Sequence, residues 1–491
     1  MNSEEICKMS ATALVAAVRA RVLTATRVMA CHLARTQQLE ATLNTYVTLD
    51  ADGALHAAHD IDRRLAAGAD PGPLAGLPVS VKDLIAVGGM RQTFGSRLLR
   101  DNLAQADAPA VERLRRAGAC ITGKSTTSEL GSKAVGDSPL TGVTRNPWNL
   151  QTTAGGSSAG AAAGVAAGLV PVALGTDGGG SIRIPAAFCG LVGFKATFGR
   201  VPVWPASATP SVAHVAPIGR NLQDVALLLD VITGHDPRDP ASINEAPLDA
   251  TRQLGNSIRG LRVGWVASLG YGQVDSEIAE MCRAATLRLA AEAAAVTVAE
   301  GPLFDTDPNQ VWNDVFFGAI GRRIRQLAGE DWAAADIDAG LKAVLQRHRD
   351  MPQEEVALLR GACLQRVQDA FSHVDVLAMP ATPVTALPVG MDVPAGHTGH
   401  TGHTGHMGRT GHTGHKGHTG RNPVDWSYFT YPFNLSGHPC VSLPIGLASN
   451  GMPVGLQLVA RWGDERTLLA AAAAITRTSP FDFGALPRPP R

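Results

Sequence analysis

Apolar positions along this chain alternate between helical and extended spacing. Residues 6 to 40 predict two helices, the second carrying Val28, Met29, Cys31, Leu33 and Ala34 behind a cap at Thr24 or Thr26. Asp50 to Ala67 predicts another helix with a polar face, and Gly68 to Pro73 a turn-rich connector. Leu77 to Asp83 (LPVSVKD) reads as a short strand with Lys82 at its end. Pro109 to Ala117 is a helix opened by proline and stopped by Gly118, and Ala119 to Thr122 is a strand. Ala159 to Gly168 is small and apolar enough for a buried helix. Leu169 to Leu174 then reads as a buried strand with Pro171 near its start. Ile182 to Thr197 predicts more strand and turn, and Asn221 to Ile232 an amphipathic helix. Further strands are expected at 261–266, 296–299, 374–379, 439–444 and 455–459, with helices at 276–294, over most of 309–371, and at 464–475. Core packing accounts for Trp312 and Trp332 in the long helical stretch. This alternation of strands and helices indicates a layered α/β fold.

Two glycine-bracketed serine turns flank the apolar 159–174 segment: Gly155-Gly156-Ser157-Ser158 and Gly178-Gly179-Gly180-Ser181. A helix and strand between them fold back, so the turns can meet at one edge of a sheet. Glycines leave backbone N–H groups uncovered, and a run of them can point donors at an anion. A serine beside such donors suits acyl transfer, where a developing oxyanion needs them. These residues point to Ser181 as nucleophile, with Ser157 serving it. Lys82, from its own stretch, reads as a solvated lysine at a strand end.

Two rival motifs fall short. Gly118-x4-Gly123-Lys124-Ser125 matches a phosphate loop, but Gly118 follows a helix and the intervening residues are β-prone. Gly156-Ser157-Ser158-Ala159-Gly160 matches a nucleophile elbow centred on Ser158. An elbow needs a strand directly before it, and residues 141–153 read as an irregular loop. Its histidine partner would come from His214, His235 or His438, none in a recognisable context.

Composition narrows the partners. Lys plus Arg equals Asp plus Glu, at 43 each, which gives no electrostatic reason to expect nucleic acid or an acidic membrane surface. Seven scattered cysteines without a CxxC pair read as free thiols in a reducing cytoplasm. Glu4 and Glu5 stand where a secretion signal is basic, and the apolar run after Ser158 is too short, and broken by Pro171, to span a membrane. Gly396 to Arg421 is a low-complexity insert of Gly-His-Thr triplets holding seven histidines. It cannot pack a core and reads as a surface excursion with adventitious metal affinity. A metal-binding scaffold built on that insert is the rival from a different functional class, and it leaves both serine turns and Lys82 without a purpose.

The segments LPVSVKD (77–83), GKSTTSE (123–129), TRNPWN (144–149), GGSSAG (155–160), GTDGGGSIRIPAAFCGLVGFKAT (175–197), FNLSGHPCVSLP (433–444) and GMPVGLQLV (451–459) together resemble the amidase signature family. The resemblance implies one large domain over 1–491 with its signature core at 77–234, built on a mixed β-sheet covered by helices on both faces. It implies a Ser–cis-Ser–Lys triad in which Ser181 attacks an amide carbonyl, Ser157 relays the proton and Lys82 is the base. Lys82 must then be buried rather than solvated. The N–H groups of Gly178, Gly179, Gly180 and Ser181 would form the oxyanion hole. No metal or organic cofactor is implied. The resemblance implies a small-molecule carboxamide as substrate, and it points to a homodimer. The alternative within the family is the A subunit of a tRNA-dependent amidotransferase. Residues 199–215 look more like the free-standing amidases, with Trp204, His214, Tyr428 and Tyr431 as candidate pocket residues. Gly178 stands where the family commonly has a larger residue, so a wider or looser oxyanion loop is expected.

Overall fold

The computed structural model describes residues 1–294, 303–395 and 424–481. The histidine-rich insert 396–421 and the strand expected at 296–299 lie outside these residues. The stretch read as two helices over 6–40 holds three: Ser3–Lys8, Ala11–Arg19 and Ala25–Leu43. The extra break has a local cause. Ser10 caps a new helix by accepting from the Ala13 N–H at 3.1 Å. Thr24, not Thr26, caps the third, accepting from Arg27 N–H at 3.0 Å.

The strands run β1 Tyr46–Leu49, β2 Pro78–Lys82, β3 Cys120–Ser125, β4 Asp137–Ser138, β5 Gly142–Val143, β6 Arg145–Asn146, β7 Asn149–Thr153, β8 Val172–Asp177, β9 Val192–Lys195, β10 His214–Gly219, β11 Val263–Trp265, β12 Val376–Pro380, β13 Cys440–Leu447 and β14 Pro453–Ala460. Ten form one sheet in the order β1-β3-β2-β8-β10-β9-β13-β14-β12-β11. The sheet is mixed: β2 runs parallel to both β3 and β8, whereas β8 and β10 are antiparallel. The short pairs β4–β5 and β6–β7 stand apart from it. Residues 141–153 are therefore more ordered than the expected loop, yet β7 pairs with β6 and bridges Pro388 without joining the main sheet.

Two other expectations shift. The strand read at 169–174 begins at Val172, directly after Pro171, which has no N–H to give a ladder. Residues 183–189 form a helix where strand and turn were expected, and β9 follows it. Pro185 lies in that helix's first turn, where a missing N–H leaves no intrahelical bond unmade.

Helices pack against the sheet to make its apolar clusters. Val79, Val81, Val172 and Leu174 join the largest one, with Val225, Leu289 and Leu469 from the helices Leu222–Ile232, Ser276–Ala293 and Glu465–Thr478. The helix Ala159–Ala166 is buried at every residue and packs with Ala173, Ile182 and Ala216 in a separate cluster. All seven cysteines are buried and unpaired. Among the described residues no helix is long and apolar enough to cross a membrane.

Candidate active site

Strand alternation explains why a lysine is buried here. Val79 and Val81 enter the largest apolar cluster, so Ser80 and Lys82 point to the opposite face. Lys82 is the last residue of β2 and is fully buried. Because β2 and β8 are parallel neighbours, their carboxyl ends share one edge, and the Gly178–Ser181 turn starts where β8 stops. The solvated-lysine reading of Lys82 is thereby replaced.

Lys82 Nζ lies 2.8 Å from Ser157 Oγ, 2.8 Å from Ser158 Oγ and 2.9 Å from Thr176 Oγ1. Ser157 Oγ lies 2.9 Å from Ser181 Oγ, which completes an unbroken Lys82–Ser157–Ser181 chain. The Gly156–Ser157 peptide is cis. Burial pushes the Lys82 amine well below the ordinary lysine range, while the Asp177 carboxylate works in the opposite direction.

The glycine turn is held from behind. The Asp177 carboxylate accepts from Gly180 N–H at 2.7 Å, from Arg183 Nε and Nη2 at 2.9 Å each, and from Asn434 Nδ2 at 2.9 Å. The Asp177 carbonyl accepts from His214 Nδ1 at 3.1 Å and Asn434 Nδ2 at 3.0 Å. The Gly178 carbonyl accepts from Trp312 Nε1 at 3.0 Å, and the Gly179 carbonyl from Thr430 Oγ1 at 2.6 Å. In a trans peptide the C=O and the following N–H point opposite ways. Anchoring the Asp177 and Gly178 carbonyls therefore turns the Gly178 and Gly179 N–H groups away from these donors. Of the four expected oxyanion donors, Gly180 N–H is committed to Asp177, and those of Gly178, Gly179 and Ser181 make no bond to the described protein groups.

Gly179 is sterically required, and Gly178 is closely confined. A Cβ on Gly179 would lie 2.4 Å from the Trp312 ring, and one on Gly178 would lie 3.0 Å from Phe316. The looser loop expected from Gly178 is thus corrected: Phe316 occupies the space. Trp312, read from sequence as packing alone, does pack, stacking on Phe316 and Tyr431 at 4.7 and 5.3 Å. It is also the donor that anchors the Gly178 carbonyl. Nothing in its helical context distinguishes those two roles. Trp312→Phe keeps an aromatic ring but deletes the N–H together with part of the indole's volume. It is expected to lower kcat on an amide up to about tenfold with little change in KM, the worth of one neutral hydrogen bond. Steady-state kinetics beside a thermal melt checks this.

Ser157, Thr176, Gly178 and Ser181 line a cavity of about 410 Å³. Trp204 and His214 also line it, as expected. Tyr428 and Tyr431 do not, and pack instead in the aromatic cluster around Trp312. The rival motifs dissolve in the same geometry. Lys124 sits inside β3, fully buried, with its Nζ 3.0 Å from Asp83 Oδ1, so it faces no phosphate site. Ser158 Oγ donates to the Thr176 carbonyl at 3.1 Å and accepts from Lys82, and no histidine bonds to it among the described residues.

A buried amine joined through two hydroxyls to an anchored glycine turn, at the wall of a cavity, defines a class of acyl-transfer enzyme. The chain belongs to the amidase family, whose model matches residues 27–469, and it is an amidase. It is 32% identical over 487 residues to an acylamidase of Rhodococcus erythropolis, with 98% of each chain covered. It is 35% identical over 517 residues to the A subunit of the glutamyl-tRNA(Gln) amidotransferase of Anaeromyxobacter dehalogenans, with 99% of each covered. Its fold is similar to the crystal structure of a bacterial aryl acylamidase of the amidase signature enzymes, with a TM-score of 0.84, 30% identity and 96% of each chain covered.

Proposed function

We propose that this amidase hydrolyses small-molecule carboxamides through an acyl-enzyme on Ser181, with Ser157 as relay and Lys82 as base. The observation that carries the reading is the continuous Lys82–Ser157–Ser181 contact chain at the cavity wall. Hydrogen-bond capacity sets its direction. With Lys82 as ammonium, the amine donates to Ser157 and Ser157 donates to Ser181, which opposes loss of the Ser181 proton. With the neutral amine, its two N–H groups suffice for Ser158 Oγ and Thr176 Oγ1, and the lone pair faces Ser157. Ser157 then gives its proton to Lys82 and takes that of Ser181 as the Ser181 oxygen attacks the amide carbon.

The resulting oxyanion would be met by the N–H groups of Gly178, Gly179 and Ser181, with Gly180 holding the turn through Asp177. Collapse breaks the C–N bond, and the leaving amine receives the proton returned along the same path. Water then releases the acid from Ser181. The acylamidase relatives support this substrate class, as does the placement of residues 202–209 along the cavity wall. The seven unpaired thiols support a cytoplasmic location. The 35% identity to an amidotransferase component favours one second reading, ammonia supply to a partner. Glutaminase activity with a co-purifying protein would select it.

The test is peptide mass spectrometry after a serine-reactive fluorophosphonate, followed across pH 6 to 10. One adduct on Ser181 is expected, absent from Ser181→Ala. Because the neutral amine is the active form, labelling should rise with pH and level off well below the ordinary lysine pKa of about 10.4. An adduct on Ser158, or a rate still climbing at the top of the range, would sink the assignment.

A further inference from the structure

The cavity that holds Ser181 is walled by apolar and neutral polar side chains, with one exception. Arg323 is the only residue with a formal charge among the described residues lining it. His214 adds no charge there at neutral pH, since burial and the Lys195 charge hold its pKa well below the histidine range. Arg323 is half-buried on the helix Ala319–Ala328, between the buried Ile320 and Ile324. It makes no hydrogen bond or ion pair with any described residue, unlike Arg322 beside it, which approaches Asp350 at 3.7 Å. A cation beside a largely apolar cavity attracts an anion more strongly than it would in open water. The guanidinium fork also matches a carboxylate in two parallel bonds.

Its position fixes where on the substrate that anion belongs. Phe316 abuts the glycine turn, 3.0 Å from where a Gly178 Cβ would stand. Residues 314–318 run directly into the helix 319–328, so Arg323 lies two turns beyond Phe316 on the same side, roughly 10 Å along the axis. Leu84, Phe94, Leu130 and Trp204 wall the same cavity. We propose that Arg323 is a specificity-determining residue that selects amides carrying a carboxylate at the end remote from the scissile bond, separated from it by an aryl ring or a chain of several bonds. This rests on the amidase reading of the same cavity and names its substrate class.

Binding to the full-length Ser181→Ala protein, measured by calorimetry, tests the selection without turnover. The probes are para-acetamidobenzoate and its methyl ester, with N-phenylsuccinamate placing the carboxylate on the acyl side instead. At least one carboxylate is expected to bind about tenfold more tightly than the ester. Arg323→Gln should erase that advantage, and added salt should narrow it. In enzyme with Ser181 intact, kcat/KM should follow the same order. Equal affinity for carboxylate and ester, no binding of either carboxylate, or an advantage that survives Arg323→Gln overturns the inference. Failure of the amidase reading looks different: no fluorophosphonate adduct on Ser181 and no turnover of any amide, whatever the binding preference.

Discussion

Lys82→Met is expected to lower kcat/KM on a small amide by about 10²–10⁴-fold, the usual worth of a positioned base. Methionine keeps most of the side-chain volume and removes the amine that, among the described residues, can draw a proton through Ser157. Ser181→Ala should lose the acyl-enzyme route altogether and keep only the residual rate that the oxyanion donors and substrate binding supply over water. Ser157→Ala should resemble Lys82→Met, since either change cuts the same contact chain at 2.8 or 2.9 Å. The double variant Lys82→Met with Ser157→Ala should cost little more than either alone, because groups that act as one unit are not additive. Kinetics on all four proteins decides this. A double variant whose loss equals the product of the single losses would show that the two residues act independently.

Asp177→Ala should destabilise the protein by about 3–5 kcal/mol, the range for removing one partner of a buried ion pair. Asp177 and Arg183 are both fully buried, and Arg183 also donates to Asn434, Gln457 and the Thr430 carbonyl. Removing the carboxylate strands that guanidinium and frees the Gly180 N–H together. Activity should therefore fall along with the urea midpoint, whereas a purely packing defect would move the midpoint first. The same carboxylate gives acid sensitivity with a definite sign. Burial works to raise its pKa, but the Arg183 charge and hydrogen bonds, the Lys195 charge and Asn434 outweigh it and hold the group far below the carboxylate range. A depressed folded pKa contributes stability that is whole above the unfolded value of about 3.9. That contribution is lost as the pH falls below this value toward the folded pKa. Urea midpoints from pH 7 down to 3 should hold nearly level with respect to this group until about pH 4, then drop. In Asp177→Asn this part of the acid slope should be missing.

Local chemistry makes much of the chain legible in its sequence. The period-two spacing of Val79 and Val81 places a strand that ends at Lys82, and helix caps at Thr24, Asp50 and Asn221 stand where the polar residues announce them. Glycine-bracketed serines at 157 and 181 mark the chemistry because uncovered backbone donors beside a hydroxyl suit an oxyanion. The helix at 183–189 escapes such reading because Pro185 argues against helix except in a first turn, and only the placement of the preceding Ser181 turn makes it one.

The sequence by itself determined which residue types are available for acyl transfer, the α/β layering and the helix–strand unit between the serine turns. These rest on interactions within a few residues: periodicity, caps, turn chemistry. Tertiary structure alone decided that Lys82 is dry, that Trp312 and Thr430 pull back the carbonyls of Gly178 and Gly179, and that Arg323 faces the cavity with no partner among the described residues. Each of these depends on groups more than 70 residues apart, and the low dielectric that gives them their effect exists only once the chain has closed around them.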